Sequence, residues 1–326
     1  MKKILIIKWG ALGDILASVP TILKIKEQFK DSEITFLSSS ISLEIFQKSN
    51  IIDYFIDRKK DNMLKTLFYI RKQNFDIVLN LKWGSESADI YALFSNSKIK
   101  VGGSKKKYLR YLYDYKPMFT SKDNNRHEYL KNIDILNSYI DVNTTELKSF
   151  IYKDENIKIK DFLKDKKRYI VISPSASTLT KAWKEDNYIE LSKIIISKYD
   201  YDIIITYSPM DEKYCQKISD KIGEKAYLTP KTTINEVAYI VDNALLCICN
   251  NSGIMHIAYS VDTPVLCFNT SIGWKPFGLN DISIDRIPKN VKNNRTLNGE
   301  QVEKLLNTIT VKETFERFEK FHLTMK

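Results

Sequence analysis

The sequence predicts an α/β protein made of two doubly wound domains that face each other across a cleft. Its length of 326 residues is enough for two domains that each bury a core. In both halves, short apolar runs alternate with segments of helical periodicity, which is typical of βαβ units and parallel sheets. Each half also has a strand followed at once by a polar turn, and such turns bind ligands at the carboxyl ends of parallel strands.

The first half opens with Ile4–Ile7, a continuous apolar run typical of a strand covered on both faces. A helix is predicted from Ile15 to Phe29 by the 3.6-residue spacing of its apolar side chains. The same alternation predicts, in order, strand Ile34–Leu37, helix Ser42–Lys48, strand Tyr54–Ile56, helix Asn62–Gln73, strand Ile77–Leu81 and helix Arg126–Tyr139.

The second half repeats the alternation after a lysine- and asparagine-rich crossing at residues 141–167. The predicted elements are strand Tyr169–Ser173, helix Asn187–Tyr199, strand Asp202–Thr206, helix Asp211–Ile222, strand Ala226–Leu228, helix Ile234–Val241 and strands Leu245–Ile248 and Val265–Phe268. We therefore expect domains at 1–155 and 165–300, with a helical tail at 301–326 that packs back on the first domain.

The composition excludes several classes of protein. Hydrophobic residues make up 43% and charged residues 28% of the chain, as in soluble globular proteins. No apolar stretch approaches the roughly 20 residues of a membrane-spanning helix, and Ile4–Ile7 is too short for the core of a signal peptide. The four cysteines form no C-x-x-C pair, which favours structural thiols and, with three histidines, argues against a metal site. We expect a cytoplasmic protein without a metal or other cofactor.

A basic cluster in the first domain indicates an anionic partner. The formal net charge is +11, and its densest part is Lys105, Lys106, Lys107 and Arg110, with tyrosines interleaved. Such clusters bind phosphates of nucleic acids or anionic lipids. No nucleic-acid-binding signature lies beside it, so an acidic acceptor or a membrane surface is the better interpretation. Solvated surface charge is the alternative.

The first turn, Gly10–Asp14, departs from the G-x-G-x-x-G dinucleotide fingerprint. The Asp14 carboxylate would repel a pyrophosphate, so this turn is expected to face a hydroxyl. A carboxylate held at a helix N-terminus stays ionised and can accept a proton from an attacking hydroxyl. The alternative is that Asp14 only caps the helix.

A serine-rich turn follows the first strand of the second half. Ser173, Ser175 and Ser177 offer hydroxyl and backbone N–H groups to phosphate oxygens, and Lys181 comes soon after. A lysine at this position could stabilise a leaving pyrophosphate as negative charge develops. The alternative is a serine-rich loop followed by a surface lysine.

A second strand-to-helix turn, Asn251-Ser252-Gly253, has the features of an anion site. Ser252 can cap the helix, Gly253 permits close approach of the backbone, and His256 is expected to face the same edge. Asp211 and Glu212, after another strand, could bind a ribose, although such a pair is also a common helix start.

Taken together, these motifs resemble the ADP-heptose:lipopolysaccharide heptosyltransferase family. The resemblance spans nearly the whole chain in order. It rests on the opening strand with Leu12-Gly13-Asp14 and Pro20, on Lys181-Ala182-Trp183 after the serine-rich turn, and on the segment from Asn251 to Ala258 with Thr263-Pro264.

The resemblance implies the GT-B fold of two Rossmann-like domains, with the acceptor bound by the first and the nucleotide sugar by the second. It also implies inverting, metal-independent transfer from ADP-heptose to an anionic glycolipid of the lipopolysaccharide or lipooligosaccharide inner core, at the cytoplasmic face of the inner membrane. Asp14 would be the general base and Lys181 the catalytic cation, with Gly13 on the acceptor side. The donor would be bound by Lys8, Ser173, Ser175, Ser177, Asp211, Glu212, Asn251, Ser252, Gly253 and His256.

The sequence departs from the family pattern at Asn251, where an aspartate is usual, and near Tyr207 and Asn269, where glycines are usual. The loss of a carboxylate near the diphosphate leaves a different nucleotide sugar open. A nucleotide-binding oxidoreductase is a more distant alternative, opposed by the missing dinucleotide fingerprint. A catalytically silent binding protein is opposed by the presence of Asp14, Lys181 and His256.

Overall fold

Two parallel β-sheets, one in each half of the chain, organise the computed structural model of the protein. The structure describes residues 1–60, 62–117, 126–142, 147–166, 168–278, 280–288 and 297–324. The chain divides into a first unit, Met1–Tyr152, and a second unit, Lys153–Lys326. The predicted α/β class with two doubly wound parallel sheets is confirmed.

The first unit contains a five-stranded parallel sheet of order β3-β2-β1-β4-β5. Its elements are β1 Lys2–Ile7, α1 Leu12–Leu16, α2 Val19–Gln28, β2 Ser32–Ser38, α3 Ser40–Phe46, β3 Tyr54–Asp57, α4 Met63–Lys72, β4 Ile77–Asn80, α5 Glu86–Phe94, β5 Ile99–Val101, α6 Lys107–Arg110 and α7 Glu128–Asn137. Ile7 of β1 is opposite Leu37 of β2 and Asn80 of β4, so the central strands end at the same edge.

The direction of strand order reverses between β1 and β4 of this sheet. The chain runs outward from β1 to β3 on one side and then returns to β4 on the other side. Doubly wound sheets bind ligands at such a switch point, outside the carboxyl ends of the strands. The segments that follow β1 and β4 are therefore placed to form a site.

The second unit contains a six-stranded parallel sheet of order β11-β10-β9-β6-β7-β8. Its elements are α8 Ile157–Leu163, β6 Tyr169–Ser173, a 3₁₀ turn Leu179–Lys181, α9 Glu185–Tyr199, β7 Asp202–Ile205, α10 Glu212–Ile222, β8 Ala226–Leu228, α11 Ile234–Asp242, β9 Cys247–Asn250, α12 Gly253–Ser260, β10 Val265–Asn269, β11 Ile282–Asp285, α13 Gly299–Leu306 and α14 Val311–Thr324. Its switch point lies between β6 and β9.

An aromatic cluster fixes the segment that follows the serine-rich turn in the core of the second unit. The ring of Trp183, 1% exposed, lies 4.3 Å from that of Phe268 and 5.1 Å from that of Tyr188. Its indole N–H donates a hydrogen bond to the Ile309 carbonyl at 2.9 Å. Because buried aromatic side chains bring large apolar area and restricted geometry, Trp183 anchors the backbone just after Lys181.

The helical tail packs on the second unit, whereas its predicted packing on the first domain stays a prediction. Phe318 and Phe321 of α14 are buried in the same core as Ile195 of α9, and Glu319 pairs with Lys198. The two phenylalanines lie three residues apart on one helix face, so they insert together against α9.

Some predicted elements differ from the observed ones for local reasons. The helix expected at Ile15–Phe29 is two helices, because Ser18 and Pro20 start a new first turn in which proline's missing N–H is not needed. The elements α5, β5, α6, α8 and β11 were not predicted. β5 and α6, with three and four residues, are too short to show periodicity.

The cysteines are structural, as predicted. All four are free and buried. Burial raises the pKa of the Cys215 thiol to about 11, which keeps it protonated and unreactive at neutral pH. Among the described helices, none combines the length and the apolar character that crossing a membrane requires.

Candidate active site

Asp14 lies just after β1, where the backbone and a lysine hold its carboxylate. Its Oδ2 atom accepts a hydrogen bond from the Ala11 N–H at 3.2 Å, and its Oδ1 atom lies 3.7 Å from Nζ of Lys82. A β-carbon at Gly10 would overlap this carboxylate, so a glycine is needed there. The Asp14 side chain is still 26% exposed, so the capping role does not prevent proton transfer with a bound group.

Lys82 was not singled out from the sequence, although it follows the strand that was predicted at 77–81. Its backbone N–H donates to Asn80 Oδ1 at 3.0 Å, which fixes the turn at the end of β4. Burial lowers the pKa of Lys82, and the Asp14 carboxylate acts in the opposite direction. The two charges therefore orient each other at the switch point of the first sheet.

Lys8 is buried and hydrogen-bonded within the first unit, and its contact with the donor phosphates stays a prediction. The side chain is 1% exposed, and Nζ donates to the Leu81 carbonyl at 3.3 Å, to Glu128 at 3.2 Å and to Asn132 at 3.2 Å. These three bonds use every N–H of the ammonium group. Lys8 is thus a structural link between β1, the end of β4 and α7.

Glu128, which is half-buried, completes the ion pair with Lys8. Burial acts to raise the pKa of its carboxyl, but the lysines around it, led by Lys8, outweigh burial and leave the pKa below its usual range. A buried charge of this kind is tolerated because it is paired and hydrogen-bonded.

The basic segment Lys105–Arg110 forms an exposed surface beside α5. Nζ of Lys105 lies 5.3 Å above the Trp83 ring, and Lys106 pairs with Glu86 at 3.2 Å. Arg110 donates to the Pro117 carbonyl at 2.9 Å. Lys107 begins α6, which ends at Arg110 and carries Tyr108, 68% exposed. Gly13 lies within α1, next to Asp14.

A buried polar network anchors the loop that carries this segment. The Asp89 carboxylate is inaccessible to solvent and accepts hydrogen bonds from Tyr113 at 2.8 Å, Asn80 at 3.1 Å and Ser104 at 2.6 Å. Burial raises the pKa of Asp89, and the bonds from Ser104 and Tyr113 oppose that shift. Because Asn80 also orients Lys82, one network positions both the basic loop and the partner of Asp14.

Asn250 is the centre of the site in the second unit, and sequence reasoning missed it. Its Oδ1 atom accepts a hydrogen bond from the backbone N–H of Trp183 at 2.9 Å. Its Nδ2 atom donates to the carbonyls of Pro174 at 2.9 Å and Ser175 at 3.3 Å. The side chain is 1% exposed. This one amide therefore ties the end of β9 to both the serine-rich turn and the segment after Lys181, across the β6/β9 switch point.

The serine-rich turn and Lys181 differ in their exposure. Ser173 is buried at the end of β6, and the Ser175 hydroxyl lies 3.5 Å from the Cys215 sulfur. Ser177 and Lys181 are exposed, and within the described ranges Lys181 has no ion-pair partner. The geometry thus leaves Lys181 open to an anionic ligand.

The turn before α12 is polar, but Ser252 differs from the prediction in one respect. Ser252 occupies the N-cap position without a side-chain capping bond, so its hydroxyl does not serve the helix as predicted. His256 is 4% exposed and packs edge-on against Trp274 at 5.5 Å, and its contact with the donor stays a prediction. Gly253 begins the helix, and Asn251 donates to Asn269 at 2.7 Å.

Asp211 and Glu212 start α10, the alternative to a ribose site given above. Asp211 sits at the N-cap position and accepts a hydrogen bond from Ser208, while Glu212 is exposed in the first turn. Contact with a ribose stays a prediction. No group of three histidine, cysteine or acidic side chains in the described part of the chain is arranged to hold a metal ion.

Solved structures share this fold. One is the glycosyl transferase family 9 protein from Veillonella parvula DSM 2008, with a TM-score of 0.85 and 18% identity over 99% of this chain and 98% of that one. Another is the E. coli heptosyltransferase WaaC with ADP-2-deoxy-2-fluoro heptose, with a TM-score of 0.67 and 16% identity over 94% of this chain and 99% of that one. The structure therefore has the predicted GT-B fold.

The sequence comparisons give the family. The model of glycosyltransferase family 9 (heptosyltransferase) matches residues 63–275, more than half of the chain. Lipopolysaccharide heptosyltransferase 1 of Campylobacter coli is 25% identical over 274 residues, which cover 78% of this chain and 80% of the relative. The protein belongs to glycosyltransferase family 9, the heptosyltransferases. The matched range includes Asn250 and Lys181, whereas Asp14 precedes it.

We expect Asn250→Ala to lower the free energy of unfolding by about 3 kcal/mol. The substitution leaves one buried N–H and two carbonyls without a partner, and each unsatisfied group costs about 1–3 kcal/mol unless the surrounding structure adjusts. Urea denaturation followed by circular dichroism measures this change. Asn243→Ala is the matched control, since Asn243 is exposed at the C-cap of α11 and its side chain donates to the Tyr239 carbonyl. Equal effects of the two substitutions would contradict the central role of Asn250.

Proposed function

We propose that this glycosyltransferase moves a heptose from ADP-heptose to an inner-core acceptor of lipopolysaccharide or lipooligosaccharide, with inversion and without a metal ion. The observation that carries the proposal is the polar site at the β6/β9 switch point of a family 9 chain, where Lys181 is exposed beside the serine-rich turn. The named relative in Campylobacter coli and the ADP-heptose analogue bound by WaaC support the choice of acceptor and donor.

In the proposed donor site, the second unit neutralises the diphosphate with a lysine and backbone N–H groups. The N-terminus of α12, at Gly253, offers free N–H groups and the positive end of the helix dipole. Lys181 and the hydroxyl groups of Ser175 and Ser177 supply further hydrogen bonds to phosphate oxygens. These groups stabilise the charge on departing ADP, which is the task that a metal ion performs in other transferases.

Asp14 is the proposed general base in the first unit. As the acceptor oxygen attacks the anomeric carbon, its proton passes to the Asp14 carboxylate. The new carbon–oxygen bond forms while the bond from the anomeric carbon to the β-phosphate oxygen breaks, and ADP leaves with that electron pair. Attack opposite the leaving group inverts the configuration at the anomeric carbon. Lys82 holds the carboxylate in place before transfer.

The acceptor and membrane contacts are assigned to the outer surface of the first unit. The helix α4 has no acidic residue. Its exposed side chains are apolar, aromatic or basic, namely Leu64, Phe68, Tyr69, Lys65, Arg71 and Lys72. Helices with basic and aromatic outer faces suit the interface of an anionic membrane. With Lys105–Arg110, this face would hold the enzyme at the cytoplasmic side of the inner membrane, where an anionic glycolipid is accessible.

A transferase that uses another nucleotide sugar is the second candidate, because Asn251 places a neutral amide where the family usually has a carboxylate. Calorimetric titration of the purified protein with ADP, UDP, GDP and NAD, without added metal, separates the candidates. We expect selective binding of ADP, followed by transfer from ADP-heptose to a truncated core acceptor. Preference for UDP or GDP would replace the donor, and binding of NAD alone would overturn the transferase proposal.

Asp14→Asn should reduce the rate of transfer by about 10²- to 10⁴-fold, the usual contribution of a general base, while the affinity for ADP changes little. The amide is isosteric and keeps an acceptor for the Ala11 N–H, so the turn is preserved. Single-turnover transfer and ADP titration measure the two quantities. Asp31→Asn, at an exposed residue of the same unit, is the control, and normal turnover of Asp14→Asn would refute the assignment.

Lys181→Ala should weaken donor binding and lower kcat by about 100-fold, because the ammonium acts on the diphosphate before and during departure of ADP. Lys184→Ala removes an exposed lysine three residues later and should leave both parameters unchanged. The two variants are compared by steady-state kinetics with varied donor. If both behave like the wild type, Lys181 does not contact the donor.

A further inference from the structure

Three side chains form one polar rung across the ends of neighbouring strands in the second unit. Asn269 of β10 is opposite Asp285 of β11, and the β9–β10 register places Asn251 next to Asn269 on the other side. Asn251 Nδ2 donates to Asn269 Oδ1 at 2.7 Å, and Asn269 Nδ2 donates to Asp285 Oδ1 at 2.7 Å. Asn269 is fully buried, Asp285 is exposed and Asn251 is half-buried beside α12.

The ends of this rung allow only one orientation of the central amide. The carboxylate of Asp285 can only accept a hydrogen bond, and the Ser271 N–H, 2.8 Å from Asn269 Oδ1, can only donate one. Asn269 must therefore direct its NH₂ group toward Asp285 and its oxygen toward Asn251. Asn251 in turn must direct its own NH₂ group toward Asn269, which leaves its Oδ1 atom for a ligand.

We propose that Asp285 and Asn269 are positioning residues that make Asn251 present a neutral hydrogen-bond acceptor to a hydroxyl group of the nucleotide sugar. A phosphate oxygen is itself an acceptor and cannot bind Asn251 Oδ1, so this oxygen recognises a sugar hydroxyl beside the diphosphate. The ribose and the transferred sugar both offer such hydroxyls. The inference rests on the proposed donor site and adds the device that selects its hydrogen-bonding pattern.

The rung predicts an unusual relation between two substitutions. Asn251→Asp keeps an oxygen for the ligand but turns a second oxygen toward Asn269 Oδ1, whose orientation is fixed. Two acceptors then face each other, so the carboxylate must rotate away. Removing the opposing oxygen with Asn269→Ala relieves this conflict. The double variant N251D/N269A should therefore bind the donor more tightly than N251D alone.

The experiment is titration of the full-length chain and its variants with ADP and with ADP-heptose. We expect N251D to weaken ADP-heptose binding at least tenfold, N269A and D285A to weaken it about three- to fivefold, and N251D/N269A to recover most of the loss. S283A is the control, because Ser283 contacts Asp285 without touching Asn269. Losses for both ligands identify a ribose hydroxyl, and a loss for ADP-heptose alone identifies the transferred sugar.

The test separates this inference from the proposed function. If wild-type protein binds ADP-heptose and N251D/N269A is no tighter than N251D, the rung proposal fails while the function stands. If wild-type protein binds a different nucleotide sugar, the proposed donor fails and the same four variants test the rung with that ligand. Thermal denaturation of each variant checks that the changes in affinity are not caused by unfolding.

Discussion

The reversal of strand order beside the first strand of each sheet is the constraint on which the rest of the molecule depends. In a parallel sheet the polar ends of the strands are covered by helices, except where neighbouring connections leave in opposite directions. The chain makes that reversal at β1/β4 and again at β6/β9. Asp14 and Lys82 occupy the first position, and the turn held by Asn250 occupies the second. The fold thus decides where chemistry is available, and the residues decide which chemistry it is.

At each switch point, a buried polar side chain makes its hydrogen bonds to neighbouring segments of the protein. Lys8 connects two strand ends to α7, and Asn250 connects β9 to two loops of the neighbouring strand. A buried polar group of this kind is costly if any bond is lost, so it tolerates few alternative arrangements. The consequence is that the turns above are held rigidly, which an electrostatic site requires because its dipoles must be oriented before the charge develops.

The sequence was a good guide to features that depend on local pattern and a poor one to features that depend on register. Apolar runs and helical spacing predicted most elements and the fold class, and the order of motifs indicated the family. The resemblance implied a donor role for Lys8, but its three hydrogen-bond partners, which lie 73 to 124 residues away in the chain, could not be found from the sequence. Lys82, Asn250 and the Asn269–Asp285 contact likewise arise only when strands pair. The packing of the tail on α9 could not be predicted for the same reason, since periodicity shows which face is apolar but not what it packs against.

The departures of this chain from the family pattern at Asn251 and near Asn269 are related by contacts between neighbouring strands. The resemblance by itself suggests the loss of a carboxylate at Asn251 and of a glycine near Asn269. In the structure the two amide side chains are hydrogen-bonded to each other. The carboxylate at the corresponding register position is Asp285 of β11, two strands away from Asn251. A carboxylate at position 251 would conflict with Asn269, and Asn269 without its partner would leave a buried oxygen with one bond fewer. The residues are therefore compatible as a set, and recognition of the donor at this edge is a property of the rung as a whole.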